Sequence, residues 1–304
     1  MKKIVLILVL VVGLFGSENK NTDTPIMKHE TKIKNGIGTC IFIINSKKMG
    51  LNQHKFNTQG LLKYDSNYVS HISATIDNIF VFDAELSPYL SSEGYFKFTF
   101  KDFADSDDIR FFIADNHGKS REQFLKIKRK NISKNKKVSY TQNNVKPITV
   151  NPKAWNAITV DSAISFIYDS QVSEKAKTLF KKNDKKYMTA GSTCLTKECL
   201  IDTNYPVIVS IESEIALRSI AILSTSTPKP LLAFVQILNN GQAYLKLPFK
   251  LEKSGKIFFI GKGKDNKLYH SKAHEITMVR GEDLTSQNIY FYLENKNIRS
   301  IRVK

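Results

Sequence analysis

Residues Phe96, Lys97, Phe98, Thr99 and Phe100 form a run that alternates strictly between aromatic and polar side chains. Successive side chains of a strand point to opposite faces, so the three phenylalanine rings share one face. The period of two predicts a half-buried β-strand. Apolar runs predict four more strands at residues 40–44, 71–76, 79–82 and 109–113.

Turn-forming residues separate these predicted strands. Asp77 and Asn78 mark one turn, and residues 115–118, which read Asp-Asn-His-Gly, mark another. Short strands at this spacing are typical of an antiparallel β-sandwich, which we predict for residues 30–125. Residues 18–32 are polar and without a clear period, and we predict irregular structure there.

A second series of apolar runs predicts another sandwich over residues 201–304. Turn residues at 239–241 and 264–267 supply the hairpins between strands. The length of 304 residues fits two domains. The fold class is therefore all-β, with two Ig-like antiparallel β-sandwiches in tandem and a short helical or irregular connecting segment. The predicted strands lie at residues 207–211, 220–223, 232–235, 244–247, 257–260, 276–279 and 288–293.

Residues 126–200 connect the two predicted sandwiches. Their first part, residues 126–146, carries eight Lys or Arg and no acidic residue, which favours a solvated linker or an exposed hairpin. The alternative, a nucleic-acid arm, is disfavoured because Tyr140 is the only aromatic residue there. The helical pattern of the chain lies at residues 152–187, with Trp155 facing the core and Ser173 as an N-cap of residues 173–180.

The first residues resemble an export signal. Lys2 and Lys3 precede an apolar run at residues 4–15, which is shorter than the roughly 20 residues that a spanning helix needs. We predict that residues 1–17 direct the chain to the periplasm and leave open whether they are removed or retained as a weak anchor. No later segment is predicted to span a membrane. The net charge of +18 favours acidic partners without selecting among them.

Three cysteines are an odd set for an exported protein. Cys194 and Cys199 are close enough in sequence to form a disulfide, while free or reactive thiols and a metal site are the alternatives. The metal alternative is weak because no histidine lies nearby and a closed zinc site needs four ligands. Cys40 lies in an apolar strand, where we predict a free, buried and inert thiol.

The sequence contains no residue pattern that defines an enzyme. The sequence has no glycine-rich phosphate loop after a strand, no Gly-x-Ser-x-Gly elbow and no His-Glu-x-x-His helix. His270 and His274 lie at predicted strand ends, where four residues separate them by about 13 Å, too far to chelate one ion. Asp107 and Asp108 are predicted to be solvated. We therefore predict a non-enzymatic protein with no cofactor and no metal.

A set of motifs in the first region points to a family. His71 stands at the start of a strand, and Asp115, Asn116 and Gly118 form an Asp-Asn-x-Gly hairpin. Together these motifs resemble the SoxZ family, a subunit of the periplasmic thiosulfate-oxidation carrier. The other matching segments are residues 49–53, 60–62, 68–72, 77–84, 96–98 and 108–119.

The second region carries motifs of its own, including Tyr205-Pro206 and Thr227-Pro228. Residues 200–278 resemble the β domain of SoxY, the partner subunit of SoxZ. The resemblance implies that both halves are Ig-like sandwiches and that neither is an enzyme. SoxY-like subunits carry sulfur covalently on a cysteine in a flexible Gly-Gly-Cys-Gly-Gly tail. Here residues 276–304 contain no cysteine, so that carrier role is not predicted at this position.

Three functions compete. The first is a periplasmic SoxYZ-like fusion that binds periplasmic redox or sulfur-oxidation proteins, or an anionic sulfur compound, without turnover. The second is an exported scaffold whose basic linker contacts an acidic partner or envelope surface. The third is a thiol redox enzyme using Cys194 and Cys199, although their spacing differs from Cys-x-x-Cys.

Overall fold

The structure is a computed structural model of the 304-residue chain. It describes residues 25–44, 55–56, 62–63, 67–91, 96–101, 107–129, 144–168, 189–192, 200–202, 207–213, 216–239, 241–251, 253–271, 273–279, 291–294 and 300–303.

The described residues are mostly β-strands with two short helices between them. The first ten strands are β1 Ile26–Lys34, β2 Ile37–Ile44, β3 Lys55–Phe56, β4 Leu62–Lys63, β5 Val69–Ile76, β6 Ile79–Leu86, β7 Phe96–Lys101, β8 Asp108–Asp115, β9 Ser120–Lys126 and β10 Lys128–Arg129. The helices are α1 Pro152–Asn156 and α2 Val160–Tyr168. The remaining strands are β11 Thr189–Ser192, β12 Leu200–Asp202, β13 Val207–Glu212, β14 Leu217–Ser224, β15 Leu231–Ile237, β16 Gly241–Phe249, β17 Gly255–Gly263, β18 Leu268–His270, β19 His274–Val279, β20 Phe291–Glu294 and β21 Ser300–Val303.

Two large sheets each contain strands from both halves of the chain. The nine-stranded sheet has the order β10-β1-β2-β7-β16-β13-β21-β20-β11, and the ten-stranded sheet has the order β12-β19-β17-β14-β15-β6-β5-β8-β9 with β18 beside β17. The halves join where β7 pairs with β16 and β6 pairs with β15, both antiparallel. The all-β prediction is confirmed, and the two sandwiches share continuous sheets.

Phenylalanine rings fill the space between the sheets in the first half. Phe98 stacks on Phe82 with ring centroids 4.8 Å apart, and Phe42 stacks on Phe96 at 5.1 Å. Fully burying one such side chain stabilises the fold by about 1.5–3 kcal/mol. The alternation in residues 96–100 therefore places its rings inside, as predicted. Gly38 is required beside them because any side chain at that position would collide with the ring of Phe100.

The hairpins adopt the backbone that their residues favour. Asp77 and Asn78 have φ values of 50° and 62°, so the β5–β6 turn needs two left-handed residues, as in type I′ turns. Asn239 and Asn266 also have positive φ, at 42° and 62°, in two of the turns predicted for the second half. These turn predictions are confirmed.

The connector, defined here as residues 144–168, packs as a third layer on the ten-stranded sheet. Ala154, Ile164 and Tyr168 of its helices are buried against Phe234 and Phe258 of that sheet. The Tyr168 hydroxyl donates a hydrogen bond of 3.0 Å to the Ile260 carbonyl. Trp155 packs against the same cluster, as predicted. The predicted helix at residues 173–180, with Ser173 as its N-cap, lies outside the described residues.

The prediction of irregular structure for residues 18–32 is wrong from residue 26 onward. β1 pairs with β2 along its length, and a register shift between Ile26 and Lys28 interrupts its alternation. The outward positions of β1 carry charged residues. After the register shift, Thr31 and Ile33 are the buried residues of the strand, which is too few to show a clear alternation. Pairing with a strongly apolar neighbour therefore imposes a strand that the local sequence does not signal.

The predicted basic linker is tied to the sandwich at both ends. Lys126 ends β9, and Lys128 pairs with Lys32 of β1. At the other end, Asn144 donates a hydrogen bond of 2.9 Å to the Asn78 carbonyl. Residues 130–143 lie outside the described residues, as do residues 1–17. Among the described helices, none is long and apolar enough to cross a membrane.

Candidate functional site

The cysteines do not form a site in the described structure. Cys194 and Cys199 lie outside the described residues. Cys40 is free and fully buried on the inner face of β2, where the Thr31 hydroxyl lies 3.5 Å from its sulfur. Burial raises the pKa of the Cys40 thiol to about 12, despite the opposing hydrogen bond from Thr31. Because the thiolate is the reactive form, Cys40 is unsuited to nucleophilic or carrier chemistry.

The histidines and carboxylates considered in the sequence lie at the ends of strands. His270 ends β18 and His274 begins β19, and the described residues contain no group of three metal-binding side chains. Asp108 opens β8, and its carboxylate lies 3.0 Å from the ammonium group of Lys126. The prediction that the two histidines lie at strand ends is confirmed.

A polar cluster lies on the outer face of the ten-stranded sheet, under the connector. We call His71, Asp83, Glu85 and Gln236 the His71–Asp83 cluster. The register aligns Ser73, Asp83 and Gln236 across β5, β6 and β15, and it aligns His71 with Glu85 on the same face. The cluster therefore forms where the two halves of the chain join.

Asp83 is the buried centre of this cluster. Its side chain is 2% exposed, and Oδ2 lies 2.7 Å from Nε2 of His71, which is 32% exposed. Oδ1 accepts a hydrogen bond of 3.1 Å from Nε2 of Gln236. A carboxylate removed from water requires such partners, because leaving it without them costs several kcal/mol. His71 is therefore the solvent-accessible end of a buried polar chain.

The same cluster holds the connector on the sheet. Gln236 donates a hydrogen bond of 2.7 Å to the Ile148 carbonyl and accepts one of 2.9 Å from the Ile148 amide. Glu85 accepts hydrogen bonds from the Val150 amide at 2.8 Å and from the Trp155 indole at 3.3 Å. The connector thus satisfies carboxylate and amide groups that would otherwise be left without partners.

Burial and charge alter the proton affinity of the cluster. Burial lowers the pKa of His71. The hydrogen bond and negative charge of Asp83, together with the charge of Glu85, raise this pKa by more than burial lowers it, so the pKa of His71 is raised overall. Burial raises the pKa of Glu85 above its usual value, although the hydrogen bonds from Val150 and Trp155 oppose the change. The arrangement can hold a proton at His71.

The opposite outer surface of the sandwich has a different character. We call Lys32, Lys34, Lys97, Lys101 and Lys246 the lysine face. All five lie on strands β1, β7 and β16 at positions that alternate with buried core residues. Lys97 lies 4.3 Å from the ring centroid of Tyr244 and donates a hydrogen bond of 3.2 Å to its hydroxyl.

The sequence placed His71 in a family motif at the start of a strand, but it did not predict Asp83, Glu85 and Gln236 as partners of His71. The signal was present in β6, where two carboxylates interrupt the apolar segment Ile-Phe-Val-Phe-Asp-Ala-Glu-Leu. An acidic residue within a buried strand must have partners. Those partners come from β5, β15 and the connector, which the strand itself cannot indicate.

Fold and side chains together define an Ig-like β-sandwich protein with a covered polar cluster on one outer face and lysines on the other. Residues 30–126 match the family model described as sulphur oxidation protein SoxZ. This SoxZ-like region runs from β1 to the end of β9 and contains His71, Asp83 and Glu85. Gln236 and the connector lie beyond it. No curated protein matches the chain.

Proposed function

We propose that this protein is a periplasmic, non-catalytic component of sulfur-compound oxidation, or of a related periplasmic redox system, that acts by binding. The observation that carries the proposal is the SoxZ match over residues 30–126. SoxZ is a non-catalytic component of sulfur oxidation. In this proposal, residues 201–304 take the place of the SoxY-like subunit within the same chain.

The continuity of the sheets supports this fused arrangement. Strands β6 and β7 of the SoxZ-like region pair directly with β15 and β16 of the second half. Gln236 of β15 also completes the hydrogen bonding of Asp83. A SoxZ-like unit that supports a partner sandwich would need such an interface, and here the partner strands belong to the same polypeptide.

Covalent sulfur carriage is not part of the proposal. Cys40 is buried and its pKa is raised to about 12. Cys194 and Cys199 are the remaining thiols of the sequence, and a disulfide between them stays our prediction. A binding role needs none of the three.

The test is intact mass spectrometry of the purified chain after exposure to thiosulfate or sulfide, with and without reduction. We expect no reducible gain in the mass of sulfur on the native protein or on Cys194→Ser and Cys199→Ser variants. Cys40→Ala is the matched control, because its thiol is buried. A reducible sulfur adduct lost in one variant would contradict the proposal and assign carriage to that cysteine.

A second candidate is an exported scaffold that binds an acidic partner. The lysine face favours it, since Lys32 and Lys34 on β1 and Lys101 on β7 are exposed on the strands on either side of β2. Binding driven by these charges should weaken strongly between low and high salt. Capture of a purified sulfur-oxidation protein should survive cysteine replacement in both proposals. Capture that does not change with salt would remove the lysine face as its cause.

A further inference from the structure

Thr99 is a buried polar residue in the middle of the lysine face. It lies at the centre of β7, between Lys97 and Lys101 on the outward side of that strand. Its side chain is only 8% exposed, and within the described structure its hydroxyl oxygen is buried without a hydrogen-bond partner. Leaving a buried hydroxyl unsatisfied costs about 1–3 kcal/mol, so the position calls for a partner.

The sheet register surrounds Thr99 with donors. Thr39 of β2 and Gln242 of β16 are its cross-strand partners on either side. Lys32 lies beyond Thr39 in the same cross-strand row. Cross-strand neighbours are about 5 Å apart, and outward positions two residues apart on one strand are about 7 Å apart. Two hydroxyls and one amide therefore lie side by side in one cross-strand row, and Lys97 and Lys101 each lie about 7 Å from Thr99 along β7, within the reach of a lysine side chain.

This donor set matches a small oxoanion. Hydroxyl and amide N–H groups donate to its oxygens, and the ammonium groups balance its charge. Lys32 is ion-paired with Glu30 on the outward side of β1, so the charge of each offsets the other and the anion depends on Lys97 and Lys101. Lys97 is held on the face by Tyr244.

We propose that Thr39, Thr99 and Gln242, with Lys97 and Lys101, bind a divalent tetrahedral oxoanion on the lysine face. The site lies on the SoxZ-like region and the adjoining strand β16. It does not use a cysteine, so it binds its anion without covalent chemistry. The choice of sulfur oxoanions as the first probes rests on the proposed function, whereas the site itself does not.

The test is isothermal titration of the full chain with sodium thiosulfate, sulfate and phosphate in separate experiments at constant ionic strength set by chloride. We expect saturable binding of at least one of these anions to the native protein. Thr99→Val keeps the shape of the side chain and removes its hydroxyl, and it should weaken binding about tenfold or more. Thr75→Val, on the other large sheet, is the matched control and should bind as the native protein does.

A second measurement separates the site from a general effect of charge or misfolding. In chloride alone, Thr99→Val should melt at or above the native temperature, because it removes an unsatisfied buried hydroxyl. The bound anion should raise the melting temperature of the native protein and leave that of Thr99→Val unchanged. Equal stabilisation of both proteins, or no saturable binding of any anion, would overturn the proposal.

The three anions distinguish the source of the ligand. Tighter binding of thiosulfate or sulfate than of phosphate assigns the site to sulfur oxoanions, and the reverse order assigns it to phosphate. Saturable binding retained in a Cys194→Ser/Cys199→Ser double variant supports the site whatever the outcome of the sulfur-adduct experiment. Loss of binding in that double variant would overturn it.

Discussion

The two outer faces of this sandwich treat charge in opposite ways. On the ten-stranded sheet, Asp83 and Glu85 point outward but are covered by the connector, and each has protein partners. On the nine-stranded sheet, Lys34 and Lys101 point outward and remain exposed. The acidic groups contribute to the folded structure, while the basic groups are available for binding. The exposed lysines add to the net charge of +18, which favours acidic partners.

The strongest test of this contrast is removal of the buried carboxylate. Asp83→Ala should lower the free energy of unfolding by about 3 kcal/mol, because Gln236 and His71 lose a charged acceptor in a buried position. Chemical denaturation measures the change. Glu122→Ala is the control, since the Glu122 carboxylate is 45% exposed in its pair with Arg110 and should contribute less than about 1 kcal/mol. Equal losses in both variants would contradict the contrast.

A second test removes the contact that holds the connector. Trp155→Ala should lower the free energy of unfolding by about 2 kcal/mol, through lost packing and the lost hydrogen bond to Glu85. Ile158→Ala, in the same connector, is the control because that side chain is 80% exposed. Thermal and denaturant unfolding should agree on the order. A Trp155→Ala protein as stable as the control would mean that the Trp155 contacts add nothing to the stability of the fold.

Most strands of the hydrophobic core could be predicted because the residue pattern that indicates them lies within each strand. In β7 the alternation of aromatic and polar residues shows which side chains face the core. Asp77 and Asn78 likewise specify a turn without reference to the rest of the chain. β1 was missed because charged outward residues and the register shift near Ile26 hide its period. Local sequence predicts a strand well when its two faces differ clearly in polarity or when the whole run is apolar.

The candidate site was harder to predict because its members are far apart in the chain. Gln236 and Asp83 are separated by 153 residues, and they meet only because β15 pairs with β6. The position of the lysine face likewise depends on β7 pairing with β2 and β16. Strand order follows from the whole fold, so the sequence suggested His71 through a family motif but not its partners.

The pH dependence of stability sharpens the role of His71. Its pKa is raised in the folded state, so its contribution is fully present below the unfolded value of about 6.5 and is lost as pH rises through the higher folded pKa. Stability of the native protein should therefore fall more steeply than that of His71→Gln as pH rises above about 6.5. The effect should be smaller than that of Trp155→Ala.

Unfolding measured in denaturant at several pH values compares the two proteins directly. The raised pKa of Glu85 acts in the same direction, but its window begins near the usual carboxyl value, well below that of His71. Parallel curves for native protein and His71→Gln as pH rises above about 6.5 would show that protonated His71 does not stabilise the covered face.

The smallest effect on stability is expected on the lysine face. Lys101→Gln and Lys34→Gln should each change the free energy of unfolding by less than about 0.5 kcal/mol, because exposed charges contribute little to stability. At low salt the variants should be the more stable proteins, because Lys34 and Lys101 lie on either side of Ile37, on the two strands that pair with β2, and like charges repel. Added salt should remove the gain. A loss of more than about 1 kcal/mol in either variant would mean that these lysines belong to the fold, as Asp83 does, and the contrast between the two faces would fail.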